Sequence, residues 1–487
     1  MSSSTPSAGD PGGEPLPAGG ALSSRAAGSW PSLASMVGTP IAEEVRELAK
    51  LAIPLILGFV GNNLMGLVDT AMVGRVGATE LAGVSIGSGL FFTVTVGGMG
   101  IVFGMDPVVS QALGAGEGAR ARAAFRAGLR LGAWVAVPCV LALLAVPYAL
   151  PLLGIDAGVS AAAKGFLFAR APGAVPFIMM MALRSFLQAR GKTSPLAYAT
   201  IVGNIVNFLG NVLLIFGDSS LERVGLPGIG LPALGVVGAG LASTFATVAQ
   251  LLVVLRAHRR LPAVDGGGDT NVPLSRLLRI GVPIGITLVA EIGAFTLAGL
   301  FAARLGPNPG SGHQVAIMLA SLTFNVAMAV SNAASVRVGH AVGRGDTPAA
   351  RKSGLVALGL VVFYMSLTAM VFLGFARPLA KILTDRDGVL LAAIPLIHIA
   401  AAFQIFDGVQ SVAAGVLRGL GETRSVTAAN LIGYYVIGLP VAFVLSITFG
   451  MGAQGLWWGL SAGLAFVAIT LTWRFIARSS RHVERVA

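Results

Sequence analysis

The sequence predicts an all-α integral membrane protein with twelve transmembrane helices in two pseudo-symmetric six-helix lobes. Three observations carry this expectation. Only 11% of the 487 residues are charged and 55% are hydrophobic, with a mean hydropathy of +0.82, whereas soluble domains carry roughly 25% charged residues. Twelve apolar stretches follow one another, near 45–73, 80–106, 124–152, 163–189, 194–216, 233–256, 276–304, 312–336, 353–376, 392–417, 425–448 and 453–477. The chain also repeats itself. From Pro54 it reads PLILGFVGNNLMGLVDTAMVGRVG, and from Pro283 PIGITLVAEIGAFTLAGLFAARLG, an offset of 283 − 54 = 229 residues. That offset holds to Gly114/Gly343 and Gly116/Gly345. It becomes 230 at Gly191/Gly421 and 217 at Gly235/Gly452, as if the first copy carried an extra loop around 218–231. Internal repetition of this kind is how many transporters are built.

Each segment follows from its composition. Residues 1–41 are rich in Ser, Gly, Pro and Ala without periodicity, which predicts a disordered tail. They lack the basic and apolar regions of a signal peptide. Residues 42–260 form the first lobe, 261–275 a linker containing DGGGDTN, 276–478 the second lobe and 479–487 a tail. Spans that are apolar throughout exclude a β-barrel, whose strands alternate. Pro54 and Pro283 fall near the starts of the lobe-opening spans, where proline suits a first helical turn or a hinge.

Charge sets orientation. The net charge of +12 comes from Lys and Arg in short connections, so it reads as membrane topology and not as nucleic-acid binding. Arg120, Arg122, Arg126 and Arg130 mark the 2–3 connection, and Arg256, Arg259, Arg260, Arg276 and Arg279 the 6–7 connection. Arg337, Arg344, Arg351 and Lys352 mark the 8–9 connection, and Arg474, Arg478, Arg481 and Arg485 the tail. These lie on one side if the spans alternate, which predicts a multi-pass protein of the inner (plasma) membrane with both termini in the cytoplasm. The single cysteine, Cys139, excludes an internal disulfide and a cysteine metal site.

Polar groups inside the spans are the candidate machinery. Residues 280–303 have one charge, Glu291, near the middle. As a helix this run is about 36 Å long, enough to cross a bilayer core. A mid-membrane carboxylate facing lipid costs at least about 2.5 kcal/mol. Asp407 is the second such acid, with Gln404 and Gln410 three residues to either side on one helix face. Asp69 is the third, with Asn62 seven residues earlier on the same face. Asn204, Asn207 and Asn211 form one stripe, and Ser321, Asn325 and Asn332 another. Such stripes also serve simply to hold helices together. Oxygen-rich faces suit Na⁺, and a buried carboxylate suits a proton. Asp106, Arg184 and Arg304 lie near span ends, where wetted or snorkelling charges are expected, and His313 opens the eighth span. No phosphate-binding loop, zinc motif or arranged Ser/His/Asp set is present, so neither ATP nor enzymatic chemistry is the evident activity.

These residues resemble the multidrug and toxic compound extrusion (MATE) transporters, most closely the NorM-type bacterial branch. The resemblance is carried by LVDTAMVGRVG at 67–77, SQALGAG at 110–116, HQVAIML at 313–319, RVGHAVGRGD at 337–346 and FDGVQSVAAGVLRGLGETR at 406–424. It implies two lobes forming a V around a central cavity. It implies a secondary antiporter, not an enzyme, exporting cationic or amphipathic small molecules against inward Na⁺ or H⁺, with no cofactor and as a monomer. Glu291 and Asp407 match the family's cation-binding acids, so these two would ligate Na⁺ in a Na⁺-coupled protein. Asp69 matches its first-lobe proton-coupling acid, and Asn207 a neighbouring polar position. Asn211 stands where some members carry a second acid, and Phe403 where some carry a tyrosine ligand. The alternative is a lipid-linked oligosaccharide flippase of the same superfamily, whose cavity would be cationic.

Overall fold

Inside hydrocarbon every backbone N–H and C=O must find a partner within the segment, so apolar runs of this length become helices. The computed structural model describes residues 41–222, 227, 228 and 230–486. It contains twelve helices long and apolar enough to span a membrane. The first six are α1 (Ile41–Val73), α2 (Ala78–Gly114), α3 (Gly118–Ala149), α4 (Ala157–Ala189), α5 (Ser194–Phe216) and α6 (Gly235–Arg260). The second six are α7 (Leu274–Arg304), α8 (Pro307–Gly343), α9 (Thr347–Leu383), α10 (Asp387–Gly419), α11 (Arg424–Thr448) and α12 (Gly452–Ser479). All twelve expected spans are present. The disordered tail expected over 1–41 lies outside the described residues except for Ile41, which opens α1.

The helices run further than the apolar stretches. Arg120 to Arg130 stand in the first turns of α3, and Arg337 lies inside α8. The extra turns come from amphipathic segments such as EEVRELAK at 43–50 and SRLLR at 275–279. They also move the prolines. Pro54 and Pro283 are interior to α1 and α7, so the first-turn reading gives way to a bend site, because an interior proline removes a backbone donor. Pro378 does this visibly in α9, where Phe375 leaves helical geometry at φ −125°, ψ 23°. In α11 the turns widen to π geometry over Ile432–Gly438 and Val444–Thr448.

The halves meet where backbones approach closely. α2 packs on α7, and α1 and the last turns of α2 pack on α8. An added Cβ at Gly281 would run into the Ile101 carbonyl, and one at Gly114 into that of His340. Polar latches sit at the same end of the molecule, the end bearing the 2–3, 6–7 and 8–9 connections. Glu44, 4% exposed, is ion-paired with Arg337 and accepts from Ser353 Oγ at 2.7 Å. Gln111 Nε2 donates to the Gly419 carbonyl at 2.9 Å, and the Val486 N–H donates back to Gln111 Oε1 at 2.7 Å. The C-terminal segment thus leaves the second half and rests on the first, with Arg485 bonded to Glu117 at 2.9 Å.

Candidate functional site: a cavity between the halves

Above these latches lies a cavity of about 910 Å³. Its wall reaches from Arg184, one to two turns from the end of α4, and Arg418, in the last turn of α10, up to Gly299 and His313 near the opposite end. Asp69, Glu291 and Asp407 all face it, as do Asn62, Asn325 and Gln410. The structure therefore gathers acids from both halves around one space. Asn204, Asn207, Asn211 and Gln404 do not line it.

The first-half acid is enclosed. Asp69 Oδ1 accepts from Asn207 Nδ2 at 2.9 Å and Asn211 Nδ2 at 2.6 Å. Its Oδ2 accepts from Ser243 Oγ at 2.8 Å. Asn207 and Asn211 are fully buried, so this is a closed clamp of α5 and α6 on α1. Arg170 closes it from α4, donating to the Ser243 carbonyl at 3.1 Å and to Thr247 Oγ1 at 3.0 Å. Its guanidinium lies 4.0 Å from the Phe91 ring centroid. Asn204 plays a separate part, donating to the Gly61 and Thr200 carbonyls at 2.9 Å. It ties α5 to α1.

The second-half acids are open. Among the described residues the Glu291 side chain makes no hydrogen bond or ion pair, and buried Asp407 Oδ1 has no partner. The two are close enough to interact electrostatically. Around Asp407, Gln410 Nε2 donates to Asn430 Oδ1 at 3.0 Å and leaves its own Oε1 unpaired. Gln404 Oε1 accepts from Thr323 Oγ1 at 2.9 Å. On α8, Asn325 and Asn332 donate to their own helix at 3.0 and 2.8 Å. His313 is buried and its Nδ1 accepts from Trp457 Nε1 at 3.2 Å.

The departure at Phe403 has a counterpart. Tyr434, in the widened turn of α11, is fully buried, and its hydroxyl has no partner. Glu291 and Asp407 both act on it electrostatically. Its ring meets Phe295 at 6.0 Å, which meets Phe403 at the same distance. A phenol from α11 thus lies within electrostatic range of the acid pair, behind the cavity wall, while α10 supplies Phe403.

Two expectations change. Arg184 does not snorkel: it lines the cavity wall between Phe59 and Phe103, 4.8 and 5.9 Å from their centroids. Asp106 is not a wetted end charge: its Oδ1 is buried, and it interacts electrostatically with Arg184 and with Arg418 of the other half. The cause is the latch, which covers that end of both halves. Arg304 remains exposed at its span end. Ser243, Asn430, Tyr434, Arg170 and Arg418 were not predicted. Arg170 carried a usable signal, a lone charge inside an apolar span. The others needed the cross-helix geometry.

Twelve spans among the described residues, two sequence-related halves and a largely apolar cavity between them that carries acids from both define a membrane transporter. The MatE family model matches residues 54–213 and 283–444, two segments that begin 229 residues apart, as the repeat does. The chain belongs to that family. It is 33% identical over 442 residues to the probable multidrug resistance protein NorM of Deinococcus radiodurans, covering 90% of this chain and 96% of that one. It is 34% identical over 449 residues to the multidrug resistance protein NorM of Burkholderia vietnamiensis, covering 89% and 94%. Among solved structures it shares the fold of the eukaryotic MATE transporter AtDTX14, with TM-score 0.80, 22% identity and coverage of 92% and 100%. The Vibrio cholerae MATE transporter VcmN, in its bent form, superposes with TM-score 0.76 at 19% identity, covering 90% and 97%.

Proposed function

We propose that the chain is a secondary antiporter that exports cationic or amphipathic compounds, driven by inward Na⁺ or H⁺. One observation carries this reading above the others: a two-half cavity holds a carboxylate pair, Glu291 and Asp407, that no protein donor satisfies. Unpaired carboxylates in a low-dielectric wall need a cation or a proton. The unpaired oxygens of Gln410 and Tyr434 beside them suit a hard cation. Ion and substrate then favour different arrangements of the halves, since coupling comes only from differential affinity. The kink of α9 at Phe375 and the interior prolines of α1 and α7 are the places where the helices can flex. The names of the NorM relatives support small-molecule export. The protein acts as a monomer in the inner membrane with both termini cytoplasmic, an orientation supported by the basic latched end.

The test is dye efflux from proteoliposomes under a Na⁺ gradient and, separately, a pH gradient. We expect one gradient to drive export and Glu291→Gln to stop it while the protein still folds. Full export by the variant would overturn the coupling role. Dye standing still under both gradients would turn the reading to the flippase alternative.

A further inference from the structure

The cavity floor carries a charge that cation export leaves unused. Arg184 on α4 and Arg418 on α10 both line it. Among the described residues the Arg418 side chain has no hydrogen bond or ion pair, and that of Arg184 donates only to its neighbour Met181 Sδ at 3.7 Å. Two guanidinium groups that repel each other therefore line the cavity with nearly all their donors unpartnered among the described residues. Asp106 acts on both, yet it forms no ion pair with either, and it offers one negative charge against two positive. A guanidinium is a planar fork matched to carboxylate or phosphate oxygens. Left unpaired in a low-dielectric wall, such donors are costly.

The position matters as much as the charge. Asp407, Gln410, Ser411, Ala414 and Arg418 all line the cavity, as residues at i, i+3, i+4, i+7 and i+11 of one helix face must. Asp407 and Arg418 are eleven residues, three turns, apart on that face, about 16 Å along the axis. The cavity is thus bipolar: acids at mid-height, arginines at the floor, and Phe59 and Phe103 beside Arg184.

We propose that Arg184 and Arg418 form an anion subsite that takes the carboxylate of zwitterionic amphipathic substrates, whose cationic end pairs with Glu291 or Asp407. The inference rests on the export reading above and names its substrate class. A compound with only a cationic group satisfies half of the wall. A zwitterion satisfies both ends at once, and the bidentate fork fixes its orientation. The same chemistry would hold a phosphate from an anionic lipid headgroup, and the experiment separates the two sources.

The probes are a rhodamine with a free carboxylate and its methyl ester, which differ in that charge and one methyl group. Binding to the full-length protein is measured by fluorescence polarisation in nanodiscs of neutral lipid and in nanodiscs containing phosphatidylglycerol. We expect the acid to bind at least fivefold tighter than the ester, and Arg418→Gln or Arg184→Gln to abolish that preference. Ester affinity should stay within twofold, and Arg418→Lys should keep part of the preference. Should the glutamine variants fail to fold, millimolar benzoate added to the unaltered protein must weaken the acid and spare the ester. Equal affinity for both dyes, or equal loss of both in the variants, overturns the subsite. A preference that disappears only with phosphatidylglycerol assigns the site to lipid phosphate and overturns the substrate assignment. Gradient-driven export of the ester, measured in parallel, reports the antiport reading separately: it can survive when the subsite fails, and its loss in the unaltered protein sinks both.

Discussion

Asp69 in the first half and the Glu291/Asp407 pair in the second face the same cavity but are treated in opposite ways. Asp69 receives three hydrogen bonds from Asn207, Asn211 and Ser243. The pair receives none from the described residues. Donors aimed at a carboxylate favour its charged form and hold its geometry. A carboxylate pair without donors is stable only with something added. The first half has thus made its acid part of the helix packing, and the second has kept its acids available. On the antiport reading proposed above, we infer from this difference that the coupling ion exchanges on the second half.

The strongest way to break this comparison is Asp407→Asn. The substitution keeps shape and removes charge at a site with no donor to lose. Ion-driven dye efflux should fall at least tenfold, with thermal unfolding of the purified protein nearly unchanged. Normal efflux by this variant would return the coupling role to the first half. Asp69→Asn should behave in reverse order of severity for stability. It exchanges three charge-assisted bonds for weaker ones, and with its amide oxygen kept on the donors of Asn207 and Asn211 its amide protons face Ser243 Oγ, which must give up its own donation. With interhelical hydrogen bonds in membranes worth about 0.6–2 kcal/mol each, a loss on the order of 2 kcal/mol is expected by reversible unfolding. An unfolding curve matching the parent protein would show that the clamp contributes little.

Tyr434→Phe sharpens the open side. A buried hydroxyl without a partner costs about 1–3 kcal/mol, so its removal should leave stability equal or higher. If the phenol oxygen ligates Na⁺, the Na⁺ concentration for half-maximal efflux should rise several-fold. An unchanged Na⁺ response in a Na⁺-driven protein would reduce Tyr434 to packing against Phe295.

The helices were legible because hydrocarbon enforces one rule on every residue. The three acids were legible for the same reason, since a charge in an apolar run stands out. What the acids touch was not legible. The i, i+3, i+7 spacing of Asn204, Asn207 and Asn211 marks a face, yet only the crossing of α5 with α1 shows that two of them serve Asp69 and one serves the Gly61 carbonyl. Tyr434 comes near the acid pair from 434 − 291 = 143 residues beyond Glu291 and 434 − 407 = 27 beyond Asp407, through a π-widened turn that no local pattern announces. Arg418 falls just past the apolar run, where a charge does not stand out. The latch beside it, at Gly419, is a contact between halves, which is written in neither half alone.

The smallest effect belongs to Asn204, and it is informative for that reason. Its amide holds α5 against the Gly61 carbonyl one turn below the Asp69 clamp, on the same stripe, but it does not line the cavity. Asn204→Ala should therefore cost about 1 kcal/mol in reversible unfolding, the ordinary value of one interhelical hydrogen bond in a membrane. Efflux rate per folded molecule and its dependence on the driving ion should not change. Such a result would make helix packing and acid binding separable along a single stripe of asparagines. A shift in ion dependence would instead mean that the whole α1–α5 seam, and not the second half alone, moves with the coupling ion.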